Sequence, residues 1–139
     1  MISRRMNNRT IPIVREQDLI LIRNHIQELC AEISMNLINQ TKLITAASEL
    51  VRNILNYAKT GKIIMEIVSI NARQGVKLTF ADEGPGIENL EAALQDGYST
   101  GSGMGVGLPG ARRLVNEFSI QSTPGQGTTI ILIHWQNGR

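Results

Sequence analysis

Between Gly84 and Gly107 the chain carries seven glycines and a proline. Glycine loses the most backbone entropy on ordering and proline withholds an N–H donor, so regular structure cannot run through such a stretch. Only Glu88 to Gln95 keeps a helical composition within it. The remainder is predicted as long irregular backbone, which inside a compact domain usually serves a function. The fold must therefore be built from the segments on either side.

Upstream, Leu19, Ile22, Ile26, Leu29 and Ile33 recur at three- and four-residue steps, which predicts a helix over 18–33 with one apolar face. The segment from Asn36 to Asn39 interrupts the repeat and offers caps. Leu43, Ala47, Leu50, Ile54 and Ala58 then restart it, and Gly61 is a suitable stop. Lys62–Ile70 and Val76–Ala81 are rich in β-branched residues and are parted by a polar turn around Asn71 to Gly75, the pattern of an antiparallel hairpin. Downstream, Pro109 suits the first turn of a helix running to about Glu117. Two strands follow, Phe118–Ser122 and Thr128–Trp135, with Pro124 to Gly127 as their turn. Helices first and strands after predict an α/β (α+β) two-layer sandwich, with helices on one face of a mixed, largely antiparallel sheet.

With 139 residues, 42% of them hydrophobic, the chain suits one core. We read 1–10 as a flexible N-terminal arm, basic through Arg4, Arg5 and Arg9, and 11–139 as a single domain. A net charge of +2 and 4% aromatic residues argue against a nucleic-acid partner. The single cysteine, Cys30, excludes an internal disulfide, and with only His25 and His134 beside it a zinc site is not available. No apolar run approaches the roughly 20 residues that span a bilayer, so the expectation is a cytoplasmic protein with no membrane partner.

Three elements carry chemistry. Glu49 and Asn53, four apart on the second helix, are expected to share a face pointing outward, opposite the Leu43, Ala47, Leu50 and Ile54 stripe. A carboxylate beside a carboxamide oxygen suits a magnesium–phosphate site, although taken alone the pair is more often part of a solvated face, here with Arg52 and Asn56. Asp82-Glu83-Gly84-Pro85-Gly86 follows a strand directly. Its carboxylate can accept from an exocyclic amine such as that of adenine while glycines let backbone approach a flat base, and the same residues also make an ordinary turn. In Gly101-Ser102-Gly103-Met104-Gly105-Val106-Gly107-Leu108, bare backbone amides precede a helix start, an arrangement that suits phosphate, with a mobile linker as the alternative. Gly105 to Gly110 formally matches G-x-G-x-x-G, but no strand–helix–strand unit contains it. Gly61-Lys62 is followed by Ile63 rather than Ser or Thr, so a P-loop is excluded.

The segments Glu49 to Asn53, Asp82 to Ile87, Gly103 to Leu108 and Gly127-Thr128 together resemble the ordered boxes of the GHKL ATPase superfamily. Ser48 to Asn53, Asp82 to Gly86, Asp96 to Thr100 and Gly107 to Gly110 further resemble its anti-sigma regulatory serine/threonine kinases, most closely the stressosome switch kinases. The resemblance runs from about Ile11 to Trp135 and implies the layered Bergerat-type fold, with ATP and Mg2+ as cofactors. It implies Glu49 as the catalytic base and Asn53 as the magnesium ligand. Asp82 would bind the adenine amine, with Gly84 and Gly86 beside the base and Thr128 supporting it. Gly103, Gly105 and Gly107 would form the phosphate lid. The implied substrate is a serine or threonine on a STAS-domain partner, with a PP2C-type phosphatase or a sigma factor as further partners. The alternatives are a docking module that activates the phosphatase and an anti-sigma factor that sequesters a sigma subunit. Histidine kinases add a helical phospho-acceptor domain for which these 139 residues leave no room.

The alternating glycines predict that ATP orders the segment from Gly97 to Leu108. Limited proteolysis with and without ATP should show cutting there that nucleotide suppresses, and unchanged cutting would contradict it.

Overall fold

The computed structural model describes residues 8–95 and 107–139. Its elements are β1 (Arg9–Ile13), α1 (Asp18–Glu32), α2 (Leu37–Asn53), a π-helical turn (Ile54–Ala58), β2 (Gly61–Ile70), β3 (Arg73–Asp82), α3 (Leu90–Ala93), α4 (Gly107–Leu114), β4 (Glu117–Thr123) and β5 (Gly127–Trp135). Of the positions read as the glycine-rich lid, Gly103 and Gly105 lie outside the described residues, as does Asp96 to Thr100, while Gly107 lies within them.

Local chemistry sets the helix ends. Asp18 Oδ2 accepts the N–H groups of Val14 and Arg15 at 2.8 and 3.1 Å, which turns the chain from β1 into α1. Those bonds hold the Asp18 carboxyl below the usual carboxylate range. Beyond the end of α1 the chain turns at Ser34, at φ 58°, and the Met35 N–H closes on the Cys30 carbonyl at 2.9 Å. Asn36 caps α2 by accepting the Asn39 N–H at 2.9 Å. The expected second helix is α-helical only to Asn53. Beyond it the ladder widens, with the Lys59 N–H reaching the Ile54 carbonyl at 2.8 Å, five residues back.

The five strands lie in the order β1-β2-β3-β5-β4, and every pairing among the described residues is antiparallel. β1 is an element the sequence pattern does not reveal, because five residues broken by Pro12 carry too little alternation. Proline is tolerated there because β1 is an edge strand. The β2–β3 turn is tighter than expected. Asn71 and Ala72 take φ 51° and 67°, a two-residue turn, while Arg73 to Gly75 extend the ladder. Gly75 lies beneath Trp135, whose ring would stand 2.8 Å from any Cβ there. Arg73 stacks on that ring at 4.1 Å, and the indole N–H donates to Glu117 Oε2 at 3.1 Å.

Alternation along the strands turns one row after another toward the helices. Ile11, Ile63, Phe80, Ile130 and Ile120 are in register across the sheet, and so are Met65, Leu78, Leu132 and Phe118. With Ile22, Ile26 and Leu29 of α1 and Leu43, Ala47 and Leu50 of α2, these rows make one core. Burial pushes the Cys30 thiol within that core up to about 12, so it packs as a small apolar group.

A buried polar lock joins distant parts of the chain. His134 is 2% exposed, and its Nδ1 accepts the Asn116 N–H at 3.1 Å. That assigns the ring proton to Nε2, which donates to Asn39 Oδ1 at 2.8 Å. Asn116 also bonds the Gly138 carbonyl and the Trp135 N–H, and Gln136 reaches the Ile33 carbonyl at 2.6 Å.

Burial, with Lys42 nearby, pulls the His134 ring down to about 4. The folded chain therefore holds this ring neutral where the unfolded chain, titrating near about 6.5, takes up a proton. Its contribution to stability is full above that value and is lost as the pH falls toward about 4. Urea unfolding should weaken by about 3 kcal/mol over that window, and His134→Gln should flatten the dependence. A parent whose stability is level between those limits would contradict the assignment.

Candidate functional site

One row of the sheet breaks the apolar pattern. Gly61, Asp82, Thr128 and Ser122 stand opposite one another across β2, β3, β5 and β4, next to the Ile63–Phe80–Ile130 row. A strand repeats its facing every second residue, so the register that buries Phe80 and Ile130 also turns Asp82 and Thr128 toward the helix layer. Above this row lies a cavity of about 490 Å³. Leu50, Asn53 and Ile54 of α2 form one wall, continued by Tyr57 and Ala58 of the π-helical turn. Phe80 and Ile130 make the floor, and the segment from Pro85 to Asn89 closes the far side with Leu108 of α4.

Hydrogen bonds fix the polar end. Asp82 Oδ1 accepts the Gly84 N–H at 2.8 Å, which sets the carboxylate against its own turn. Ser122 Oγ lies 2.8 Å from Thr128 Oγ1, accepts the Ile87 N–H at 2.8 Å and stands 3.1 Å from the Gly127 carbonyl. The Gly125 N–H donates to the Pro85 carbonyl at 2.7 Å, so the loop after β3 is clasped to the β4–β5 turn. Two glycines permit the clasp. Gly86, at φ 76°, would drive a Cβ into the Thr123 carbonyl, and Gly127, at φ 125°, would drive one into the Asp82 carbonyl.

Of the residues singled out from the sequence, Asn53, Asp82, Gly86 and Thr128 all line this cavity. Gly84 stands just behind it, where a Cβ would collide with Ala58. Gly107 opens α4 at φ 67°. Glu49 lies one helical turn before Asn53 but does not line the cavity, and the outward, solvated face expected for the pair is corrected. Glu49 is 5% exposed and Asn53 partly buried, because α4 packs on α2 in addition to α1 and the sheet. The Glu49 carboxylate lies 3.9 Å from Arg52 Nη1, whose side chain is half exposed. Asn53 has no side-chain hydrogen bond among the described residues, which leaves a hard carboxamide oxygen available. Sequence reasoning missed Ser122, whose only signal is its place six residues before Thr128 across a Pro-Gly turn.

Chemically, this is an apolar slot with a carboxylate and a hydroxyl at one end and a carboxamide on a wall. Its volume falls in the range of small-molecule sites. A flat heteroaromatic ring bearing an amino group meets its requirements. Among the described residues, no group of three acidic, histidine or cysteine side chains could hold a metal by itself. No helix of the described residues is long and apolar enough to cross a membrane.

Residues 38–138 match the family described as histidine kinase-, DNA gyrase B- and HSP90-like ATPase. The serine/threonine-protein kinase RsbT of Bacillus subtilis is 39% identical over 131 residues, covering 94% of this chain and 98% of that protein. An anti-sigma F factor from a Thermoanaerobacter species is 27% identical over 120 residues, 84% of each chain. Among solved structures, the RsbU and RsbW domains of a Mycobacterium tuberculosis protein superpose with a TM-score of 0.61 at 20% identity, over 91% of this chain. This chain spans 32% of that one. The catalytic domain of the histidine kinase ThkA superposes with a TM-score of 0.53 at 14% identity, over 94% of this chain and 97% of that domain. Both likenesses concern the fold.

The clasp gives an internal comparison. Gly86 and Gly125 both have positive φ, but a Cβ at Gly125 meets nothing within 4 Å. Gly125→Ala should cost about 1 kcal/mol from backbone strain, and Gly86→Ala about 2–3 kcal/mol because it adds a collision. Denaturant unfolding of both variants checks this, and equal losses would contradict it.

Proposed function

The chain belongs to the histidine kinase-, DNA gyrase B- and HSP90-like ATPase family, and from that premise we propose that it is an ATP-dependent serine/threonine-protein kinase of the anti-sigma, stress-switch type. The convergence of Asn53, Asp82, Gly86 and Thr128 on one cavity carries this reading. The 39% identity to RsbT over nearly the whole of both chains supports the kinase assignment.

In this reading adenine lies on Phe80 and Ile130, its amine donates to the Asp82 carboxylate, and Gly86 leaves room beside the ring. Thr128 supports the base through its hydroxyl. By the family resemblance Gly103, Gly105 and Gly107 would supply backbone amides to the phosphates, and Asn53 would hold magnesium through its carboxamide oxygen. When bound, the ion neutralises phosphate charge. The substrate is a serine or threonine hydroxyl on a STAS-domain regulatory protein. Its oxygen forms a bond to the γ-phosphorus while the bond from that phosphorus to the bridging oxygen breaks and ADP leaves. Glu49 takes the hydroxyl proton. Since such transfer depends mostly on positioning and charge neutralisation, a domain of this size is sufficient. The proposed setting is the cytoplasm.

The likeness to anti-sigma F factors favours a second reading, in which ATP is a structural ligand. The chain would then act by docking, either activating a phosphatase or sequestering a sigma subunit.

Glu49→Gln should reduce phosphate transfer to a STAS-domain protein by a factor of 10² or more while ATP affinity changes less than about threefold. Asp82→Asn should weaken ATP binding itself by about tenfold or more. Calorimetry and a radiolabel transfer assay read the two effects separately. Full transfer by the Glu49 variant would remove it from the base role, and a parent that binds no ATP would leave the docking reading.

A further inference from the structure

Ser122 meets three polar neighbours with a single proton. It accepts the Ile87 N–H at 2.8 Å, faces the Gly127 carbonyl at 3.1 Å and lies 2.8 Å from Thr128 Oγ1. The carbonyl can only accept, so the Ser122 proton belongs there if that contact is a hydrogen bond. The bond to Thr128 is then donated by the threonine. This is the one assignment in which all three contacts are hydrogen bonds. The reverse leaves two acceptor oxygens facing each other at 3.1 Å.

The consequence falls on the cavity. With its proton committed to Ser122, Thr128 offers only lone pairs to a ligand. Asp82, its register neighbour on β3, offers only carboxylate oxygens, one of them already accepting the Gly84 N–H. Both polar groups at this end are therefore acceptors. At position 6 an aminopurine brings a donor to them, whereas a 6-oxopurine brings a carbonyl oxygen that finds no donor there and has only its N1–H to offer.

We propose that Ser122 is a positioning residue for base selection: by taking the Thr128 proton it fixes that hydroxyl as an acceptor and makes the cavity favour 6-aminopurine over 6-oxopurine nucleotides. The proposal rests on the nucleotide-binding reading above and adds to it a residue that touches no ligand. Removing the Ser122 hydroxyl frees Thr128 to rotate its proton toward a 6-oxo group. The penalty against that group then falls.

The test is calorimetric binding of ATP and ITP, with magnesium, to the parent, Ser122→Ala, Ser122→Thr, Thr128→Val and the Ser122→Ala/Thr128→Val pair. The parent should prefer ATP, Ser122→Ala should lower the ATP-to-ITP affinity ratio by about tenfold, and Ser122→Thr, which keeps the hydroxyl, should restore it. In the Thr128→Val background the Ser122 change should leave the ratio unmoved, because the effect runs through Thr128. A Ser122→Ala protein that loses affinity for both nucleotides equally, or one that changes the ratio equally without Thr128, overturns the proposal and makes Ser122 a structural support of the Ile87 loop. A parent that binds both nucleotides equally overturns it while leaving the binding reading intact. A parent that binds neither removes both. Thermal denaturation of the same variants identifies any that fail to fold, and if Ser122→Ala is one of these, Ser122→Cys, whose thiol fills the space but accepts the Thr128 proton only weakly, should lower the ratio in its place.

Discussion

The pairing of β3 with β5 is the constraint on which the rest of this structure depends. Phe80 opposite Ile130 and Asp82 opposite Thr128 are consecutive inward pairs on the same two strands. The first closes the core and the second opens the cavity. A slip of one residue would turn both pairs to the other face, so core and site are specified by the same register. Gly127 secures the pairing at the cavity end, where only a residue without Cβ can pass the Asp82 carbonyl.

α2 is the complementary half of the arrangement. A helix lying on a sheet normally has a solvated back, but α2 packs against α1, α4 and the sheet and buries Ser48 and Glu49 along with its apolar residues. Ser48 manages this by returning its hydroxyl to the Ile44 carbonyl at 2.8 Å and accepting from Arg23 Nε at 3.3 Å. The widened turn after Asn53 continues the cavity wall with Tyr57 and Ala58, and Ala58 packs against the position of Gly84. The loop after β3 is thus braced on one side by the helix end and on the other by the β4–β5 turn.

What could be read from the amino-acid order was whatever depends on near neighbours. The apolar steps of α1 and α2, the β2–β3 hairpin and the closing strands each declare themselves within a short window. The positions Asn53, Asp82 and Gly86 stood out because residue type and local setting coincide there, and Thr128 only through the family resemblance. The rest depends on partners far along the chain. β1 is a strand because Met65 to Gly61 lie beside it, not because Arg9 to Ile13 look like one. Glu49 seemed exposed because its own helix offers no cover, and α4, which packs on that helix, begins at Gly107. Ser122 was invisible because a serine in a strand is ordinary until its three neighbours are known.

The lock around His134 has a consequence for how the chain reaches this state. His134 and Asn39 are 95 residues apart, Gln136 and Ile33 are 103 apart, and β5, which carries the lock, lies between β3 and β4 in the interior of the sheet. During synthesis α1, α2 and the β2–β3 hairpin leave the ribosome before the strand that covers the β3 edge exists. Until then the hairpin presents an unpaired ladder beside an uncovered apolar row, the kind of surface that chaperones hold. Completion of the fold therefore waits for β5, which joins segments about a hundred residues apart at once, and long-range closure of this kind is intrinsically slow.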